Sequence, residues 1–386
     1  MSIEYLQQRL EQRDKQALTR KRKVIINCSS NANTVYFDGR TYTNFASNDY
    51  LGLMNHREIS EAFAKATHQY GFGSGSSALV SGYSNAHYEL EKQFSKWLGV
   101  DRAIIFNSGY LANIGVISAL VKRSDTVLSD RLCHASILDG IHLSRAKHYR
   151  YAHCSMKHLD ELSQSKNPNL IVTESVFSMG GDISPIKEII QIVDKYQSAL
   201  VIDDAHGIGI LGKQGGGVCE QFGIKQNQFS CLVLPLGKAF NGVGAIVAGR
   251  SEIIESILQF SRSYGYTTAL PPAICSALQA SLKVLTEEQW RRDQLKANIQ
   301  YFIHHATNMG LRFASIAETP IKALIVGDTN KALHLHNFLL AKGFYVSAIR
   351  PPTVPNNSAR LRISLNCHHT EQQMTRLVNY ISEGIQ

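Results

Sequence analysis

From about residue 100 the chain alternates short apolar runs with stretches of helical period. Ala103-Ile104-Ile105-Phe106 predicts a strand, and Leu111, Ile114, Ile117 and Val121 then recur at the spacing of one helix face. Leu170-Ile171-Val172-Thr173 predicts a second strand. Ser184 follows as an N-cap, with Pro185 at the first helical position and Ile186, Ile189, Ile190 and Val193 on one face. Ala199-Leu200-Val201-Ile202 predicts a third strand, and Leu232-Val233-Leu234-Pro235-Leu236 a fourth that runs into Gly237-Lys238-Ala239-Phe240. Repeated βα alternation predicts an α/β fold, a mainly parallel central sheet with helices on both faces. In such sheets ligands bind beyond the carboxyl ends of the strands.

The flanks are patterned differently. Ile3, Leu6, Leu10 and Leu18 predict an amphipathic N-terminal helix docked on the body or on a partner subunit. Val35-Tyr36-Phe37, Asp38-Gly39 and Tyr42-Thr43-Asn44-Phe45 predict a hairpin. Asn44 to Leu53 mixes small polar and aromatic residues and suits a loop lining a cleft. Gly71-Phe72-Gly73-Ser74-Gly75-Ser76-Ser77 and Ser81-Gly82-Tyr83-Ser84 suit a ligand lip. A long helical stretch over 274–304 leads to strands near 323–326 and 360–365, a smaller C-terminal α+β domain. The expected segments are 1–45, 46–280 and 281–386.

Composition narrows the class. The chain has 386 residues, 44% hydrophobic and 18% charged, enough for a large core and a second domain. No window approaches the roughly 18 consecutive apolar residues of a membrane span, and the first 23 residues do not read as a secretory signal. Cys28, Cys133, Cys154, Cys219, Cys231, Cys275 and Cys367 form no Cys-x-x-Cys pair, which suits reduced thiols in a cytoplasmic protein. The net charge of +9 suggests an anionic partner such as a phosphorylated metabolite or an acidic carrier protein. The one dense basic run, Thr19-Arg20-Lys21-Arg22-Lys23, lacks interleaved aromatics. It reads as a solvated helix end, not a nucleic-acid site.

The chemistry-bearing residues gather at strand ends: Gly109, Glu174, Ser178, Asp203, His206 and Lys238. Singly each has an ordinary reading, such as a surface lysine or a plain βα turn. Together with His134 they form a coherent set for pyridoxal phosphate. A lysine in a desolvated cleft can form a Schiff base, and a carboxylate beside the pyridine nitrogen keeps it protonated. His206 can bond the ring oxygen, and the Gly109-Tyr110 helix start can take the phosphate. Gly207-Ile208-Gly209-Ile210-Leu211-Gly212 fits G-x-G-x-x-G, but Lys213-Gln214-Gly215-Gly216-Gly217 cannot easily propagate the helix such a turn should open, and Gln214 spoils a P-loop. Cys133-His134 and Cys367-His368-His369 lack ligand spacing, so no metal is expected.

Several motifs carry a resemblance that covers nearly the whole chain. They are Ser47-Asn48-Asp49-Tyr50-Leu51-Gly52-Leu53, Val80-Ser81-Gly82-Tyr83-Ser84, His134-Ala135-Ser136, Val176-Phe177-Ser178-Met179, Asp203-Asp204-Ala205-His206-Gly207, Gly237-Lys238-Ala239-Phe240, Ala348-Ile349-Arg350-Pro351-Pro352-Thr353-Val354-Pro355 and Ala359-Arg360-Leu361-Arg362. The chain resembles the α-oxoamine synthases, fold-type I pyridoxal phosphate transferases that condense an amino acid with an acyl thioester and release carbon dioxide. The two C-terminal motifs favour the member that joins L-alanine to a pimeloyl thioester, on acyl carrier protein or coenzyme A, in biotin synthesis.

The resemblance implies a catalytic set of Lys238, His134, Asp203 and His206. Lys238 would carry the cofactor, Asp203 pair with its ring nitrogen, His206 and Ser178 bond its ring oxygen, and His134 stack on its face. Asn48 and Arg362 would hold the amino-acid carboxylate, with Arg350 and Thr353 also binding substrate. Thr267 or Thr268 would reach the phosphate of the neighbouring subunit's cofactor, which implies a homodimer. Two departures stand out. Pro235 occupies a position where relatives carry a hydroxyl, three before the lysine, and Gly75-Ser76-Ser77-Ala78 replaces a Gly-Gly-Ser-type loop. The alternatives are a sibling synthase using glycine or another acyl donor, a dinucleotide-binding oxidoreductase, and an anion-binding or nucleic-acid-binding module.

Overall fold

The structure is a computed structural model and describes residues 2–20, 22–27 and 33–385. Lys21 of the basic run and Cys28 lie outside the described residues. The chain divides into two compact units. The larger comprises Leu53–Ser178 and Ile183–Arg292. The smaller comprises the residues up to Gly52, Met179–Asp182 and the residues from Asp293 onward.

The N-terminal strands are β1 (Ile26–Asn27), β2 (Thr34–Phe37) and β3 (Arg40–Asn44). Asp38 and Gly39 join β2 to β3 with φ of 50° and 75°, the two left-handed residues a tight hairpin requires. Phe37 stacks on Tyr42 at 4.3 Å.

The larger unit holds a seven-stranded sheet: β4 (Arg102–Phe106), β5 (Thr126–Asp130), β6 (Lys147–Tyr151), β7 (Leu170–Glu174), β8 (Ala199–Asp203), β9 (Cys231–Pro235) and β10 (Ala245–Gly249). Their spatial order is β4-β10-β9-β8-β7-β5-β6. β10 alone runs against its neighbours, and the remaining pairs are parallel. β5, β7, β9 and β10 are buried at every position, and in β9 and β10 this goes with a sequence made wholly of apolar residues, glycine and proline. Helix Ile186–Tyr196 buries Ile186, Ile189, Ile190 and Val193 as its period predicts. Its cap is Pro185, not Ser184. The Ser184 hydroxyl lies 3.2 Å from that of Thr173 and so bonds to the strand behind it.

In the smaller unit β11 (Ile321–Gly327), β13 (Ser347–Ile349) and β14 (Ala359–Ser364) form an antiparallel sheet in the order β11-β14-β13. β12 (Phe344–Tyr345) pairs in parallel with β3. That pairing is why the N-terminal hairpin belongs with the C-terminal part of the chain. The helical stretch expected over 274–304 is two helices, Pro272–Glu287 and Trp290–Asn308.

The predicted N-terminal helix forms over Ile3–Lys15, capped by the Ser2 hydroxyl, but none of its residues is buried, so it is not docked on the body of its own chain. It ends before the basic run, which is therefore no helix end. Arg20 instead donates to Thr353, and the Lys23 ammonium lies 4.3 Å from the Phe37 ring centre. Among the described residues no helix is long and apolar enough to cross a membrane.

Candidate active site

The sheet of the larger unit delivers its polar residues where its parallel strands end. β8 closes on Asp203, which is buried. Its Oδ1 accepts the Ala205 N–H at 3.0 Å, and its Oδ2 accepts Nδ2 of Asn113 at 2.6 Å. Both oxygens are thus held by donors, as a buried carboxyl group requires.

Asp204 has a different task. It accepts the Val218 N–H at 2.9 Å and the Ser175 hydroxyl, and so ties both ends of the 205–217 loop. A Cβ on Gly207 or Gly217 would collide with its carboxylate, so those glycines are the cradle of a buried acid. Burial pushes this carboxyl up to about 7, against the pull of the Ser175 and Val218 bonds. The loop turns back on itself, with Gly209 N–H bonded to Gly215 O, and opens no helix before Gly217. The G-x-G-x-x-G pattern is a cap over Asp204, not a nucleotide cradle. His206 is buried on the same loop.

His134 precedes helix Ala135–Ser144 and stays solvent-accessible. Its Nδ1 accepts the Ser136 N–H at 3.2 Å and lies 2.7 Å from the Ser136 hydroxyl. Partial burial of the imidazole lowers its pKa. The Asp203 charge opposes that, and the Lys238 ammonium adds to it. The Tyr110 ring meets the imidazole edge-on at 6.2 Å, and its hydroxyl donates to Asp139.

Glu174, at the end of β7, accepts the backbone N–H groups of both His134, at 2.6 Å, and Ser178. One buried carboxyl therefore fixes the main chain of two of the expected site residues. Burial, followed by the Asp203 charge, pushes its pKa well up. The two N–H bonds and the Lys238 ammonium pull the other way.

Lys238 is half-buried, three residues beyond β9. Its carbonyl accepts the Asn241 N–H at 2.8 Å, and Leu236 is tied at both its N–H and its carbonyl to Gly244 and Gly242. Its charge acts on both His134 and Glu174, which fixes the amine's neighbourhood. Gly109 opens helix Gly109–Leu120, with the Ser108 hydroxyl accepting the Leu111 N–H at 3.2 Å. A Cβ on Gly109 would stand 2.5 Å from the Pro235 ring, so the departure found in sequence packs directly against the helix start.

Thr267 and Thr268 lie beside Asn107, two residues before Gly109. With Ser77, Val80, Phe260 and Tyr266 they line an open hollow of about 830 Å³, and the Thr268 carbonyl accepts Nδ2 of Asn107 at 2.6 Å. The Val80–Ser84 motif is architectural. Ser84 and His87 bond each other at the start of helix Asn85–Leu98, and the Tyr83 hydroxyl donates to buried Glu91 at 2.6 Å.

In the smaller unit Asn48 and Arg362 come together. Nη1 of Arg362 donates to Asn48 Oδ1 at 3.1 Å and to the Ser364 hydroxyl at 3.0 Å, and Nη2 reaches the Tyr50 hydroxyl at 3.4 Å. Arg350 and Thr353 form a second group. Arg350 donates to the Ala17 and Thr19 carbonyls, and Arg20 donates to Thr353 Oγ1 at 3.0 Å. Burial and the Arg20 charge both lower the Arg350 pKa.

Sequence reasoning passed over Asn113, Ser136, Glu174 as a clamp, and Arg20. A signal existed for Asn113, an amide in the otherwise apolar helix Gly109–Leu120, because a buried amide needs partners. Among the described residues one trio, Asp130, His153 and Cys154, brings possible metal ligands within 4.8 Å. Its groups are already bonded to one another: Asp130 Oδ1 lies 3.0 Å from His153 Nδ1, and Oδ2 accepts the Cys154 N–H.

The sequence pattern of the family described as aminotransferase class I and II matches residues 40–381. An 8-amino-7-oxononanoate synthase of Nitrosococcus oceani is 44% identical, with the match covering 96% of this chain and 98% of that protein. Among solved structures, serine palmitoyltransferase of S. paucimobilis, with a bound PLP–myriocin aldimine, superposes with a TM-score of 0.92 at 27% identity, covering 98% of this chain and 96% of that one. The 8-amino-7-oxononanoate synthase of Francisella tularensis gives 0.80 at 34% identity, covering 89% and 97%. With its sheet order, its strand-end residues and a match over most of its length, the chain belongs to the aminotransferase class I and II family, and within it to the α-oxoamine synthases that its motifs resemble.

Proposed function

We propose that this chain condenses L-alanine with a pimeloyl thioester, carried on acyl carrier protein or coenzyme A, to give 8-amino-7-oxononanoate, carbon dioxide and the free thiol carrier. What carries the reading is position: His134, Glu174, Asp203 and Lys238 stand at or just beyond the ends of the adjoining strands β5, β7, β8 and β9, and Glu174 accepts the His134 N–H at 2.6 Å. The 42–44% identity to proteins named 8-amino-7-oxononanoate synthase supports the choice of substrates.

The residues fit pyridoxal phosphate. Asp203 is a buried acid whose two oxygens are each held by one N–H donor, leaving acceptor capacity for a ring N–H. The half-buried Lys238 and the helix start at Gly109 supply an amine and backbone donors for a phosphate. When bound, this cofactor supplies an electron sink for a carbanion at the amino-acid Cα.

The protein's residues do the rest. Lys238 removes the Cα proton and later returns one. With the cofactor bound, Asp203 would pair with its ring nitrogen, His206 and Ser178 would hydrogen-bond its ring oxygen, His134 would pack against it, and the backbone N–H groups of Gly109 and Tyr110 would hold its phosphate. Arg362, braced by Asn48, holds the amino-acid carboxylate, for which a planar fork is suited. Arg350 and Thr353, with Arg20 beside them, form a basic patch for the acidic acyl donor. Thr267 or Thr268 serves the cofactor of a second copy, so the working form is a homodimer. The six described cysteines are all free thiols, which supports a cytoplasmic setting.

The test is to load the purified chain with pyridoxal phosphate, follow its visible spectrum, and titrate alanine, glycine and serine singly before adding a pimeloyl thioester. Alanine is expected to shift the spectrum and support turnover. Serine belongs in the set because serine palmitoyltransferase gives the higher TM-score. Faster turnover with glycine or serine would overturn the substrate assignment, and no cofactor uptake would overturn the reaction class.

A further inference from the structure

We infer that Asn113 is a positioning residue: by giving its two N–H bonds to Asp203 and to Ser136, one buried amide holds the acid in place and fixes His134 as the neutral form protonated on Nε2. The Asn113 amide nitrogen donates to Asp203 Oδ2 at 2.6 Å. Its second N–H points at the Ser136 hydroxyl oxygen, 3.0 Å away. The hydroxyl, having accepted there, turns its own hydrogen to the neighbour at 2.7 Å, which is His134 Nδ1. The Ser136 backbone N–H also donates to that nitrogen at 3.2 Å. Nδ1 therefore carries a lone pair, and the single proton of the neutral ring sits on Nε2.

One observation marks this chain of bonds as more than packing. Asn113 Oδ1 is buried without a hydrogen-bond partner. Reversing the amide would relieve that oxygen only by turning it against a carboxylate, so the orientation is set from the Asp203 side.

For His134 the consequence is a ring that stays uncharged beside Lys238 and offers an N–H donor at its far edge. The charged groups acting on it are Asp203 and Asp139, which favour protonation, and Lys238, which opposes it. Burial adds to the opposition and is the largest influence.

The inference leans on the proposed function only for what the ring and acid are held for, so its test begins on the protein without added cofactor. Full-length protein with ¹⁵N-labelled histidine is followed by NMR between pH 5 and 9, with His134 assigned by the signal lost in His134→Gln. The expected result is one His134 species, protonated on Nε2 and not on Nδ1, with a midpoint below that of an exposed histidine. Ser136→Ala is expected to raise that midpoint while leaving the dissociation constant for pyridoxal phosphate within about twofold. Asn113→Ala is expected to raise both, the dissociation constant by about tenfold or more, because Asp203 also loses its anchor. A proton on Nδ1 in the parent protein would overturn the inference without any variant having to fold. So would an Asn113→Ala protein whose His134 signals and cofactor affinity match the parent. A chain that keeps this His134 state but takes up no pyridoxal phosphate would sink the functional reading and leave this one standing.

Discussion

The ends of β8 and β9 lie side by side and are built in opposite ways. At the end of β8 two consecutive acids are fixed through their side chains. Asp203 is held by Ala205 and Asn113, and Asp204 by Val218 and Ser175. At the end of β9 main-chain bonds shape the turn, Leu236 to Gly244 and Gly242, and Asn241 to the Lys238 carbonyl, and the Ser281 hydroxyl donates to the Phe240 carbonyl at 2.9 Å. One exit positions two carboxylates through their side-chain bonds, the other shapes the backbone turn that carries an amine. The difference matches the proposed division of labour. An acid that holds a ring nitrogen must not move, whereas a lysine that forms a bond, releases it and then carries a proton must.

Removing the amine tests that contrast most severely. Lys238→Ala is expected to cut turnover by at least about 10²–10⁴-fold, the share usually carried by a positioned proton-transfer group. Its unfolding free energy should change by no more than about 1 kcal/mol, the common size of a single-residue effect. Steady-state assays and denaturant melts report the two numbers separately. A strongly destabilised Lys238→Ala protein would mean that the amine is structural and that the two exits do not differ as argued.

Asp203→Asn keeps the shape and removes the charge. Hydrogen bonds to charged groups are worth about 1.5–3 kcal/mol, so its affinity for pyridoxal phosphate is expected to fall about 10- to 100-fold. Equilibrium dialysis against pyridoxal phosphate measures it. An unchanged affinity would remove Asp203 from the ring nitrogen.

Asp204 should show itself in stability, not in chemistry. Its folded pKa is raised from 3.8 to about 7, so the folded state keeps a proton that the unfolded chain releases near pH 4. Its contribution to stability is greatest in acid and declines as pH rises from about 4 to about 7, where it levels off. Asp204→Asn can accept from Val218, donate to Ser175 and not titrate. It is expected to flatten that part of the curve, an effect on the order of 4 kcal/mol across the window. Glu91 is also pushed up to about 7 by burial, so some slope should remain. Denaturant midpoints at pH 4.5, 6 and 8 decide it, and a curve unaffected by the substitution would mean that Asp204 is ionised throughout.

These side-chain networks are also what the sequence concealed. The strands were legible because β7, β8 and β9 are apolar runs of strand length, and the Asp38-Gly39 turn because its residue types match its dihedral angles. Asp203, His206 and Lys238 were legible by position, each just past a predicted strand end. Asn113 and Ser136 were not, since their partners lie 90 and 23 residues away and only the fold brings them together. The Ser184 cap was misplaced by one residue because its hydroxyl found Thr173 across the fold. Arg20 was read as part of a solvated helix end; it is exposed, but the helix stops at Lys15 and its guanidinium donates to Thr353.

The smallest expected effect is at the β9 exit and concerns the departure from the family pattern. Pro235 ends a central strand, where a proline offers the ladder no N–H, and its ring fills the space over Gly109. If backbone N–H groups at Gly109 and Tyr110 hold the cofactor phosphate, a hydroxyl at 235 would add one donor at the same place. Pro235→Thr is then expected to tighten pyridoxal phosphate binding about 3- to 10-fold, the worth of one hydrogen bond at about 0.5–1.5 kcal/mol. Pro235→Val supplies the control, since it restores the N–H and has the branched shape of threonine without its oxygen. Titrations of both proteins separate the two contributions. A gain shared by valine would come from the strand's own backbone. A gain confined to threonine would place the phosphate against the Gly109 helix start, and it would show that the side chain at 235 decides how much of the cofactor's hold this exit provides.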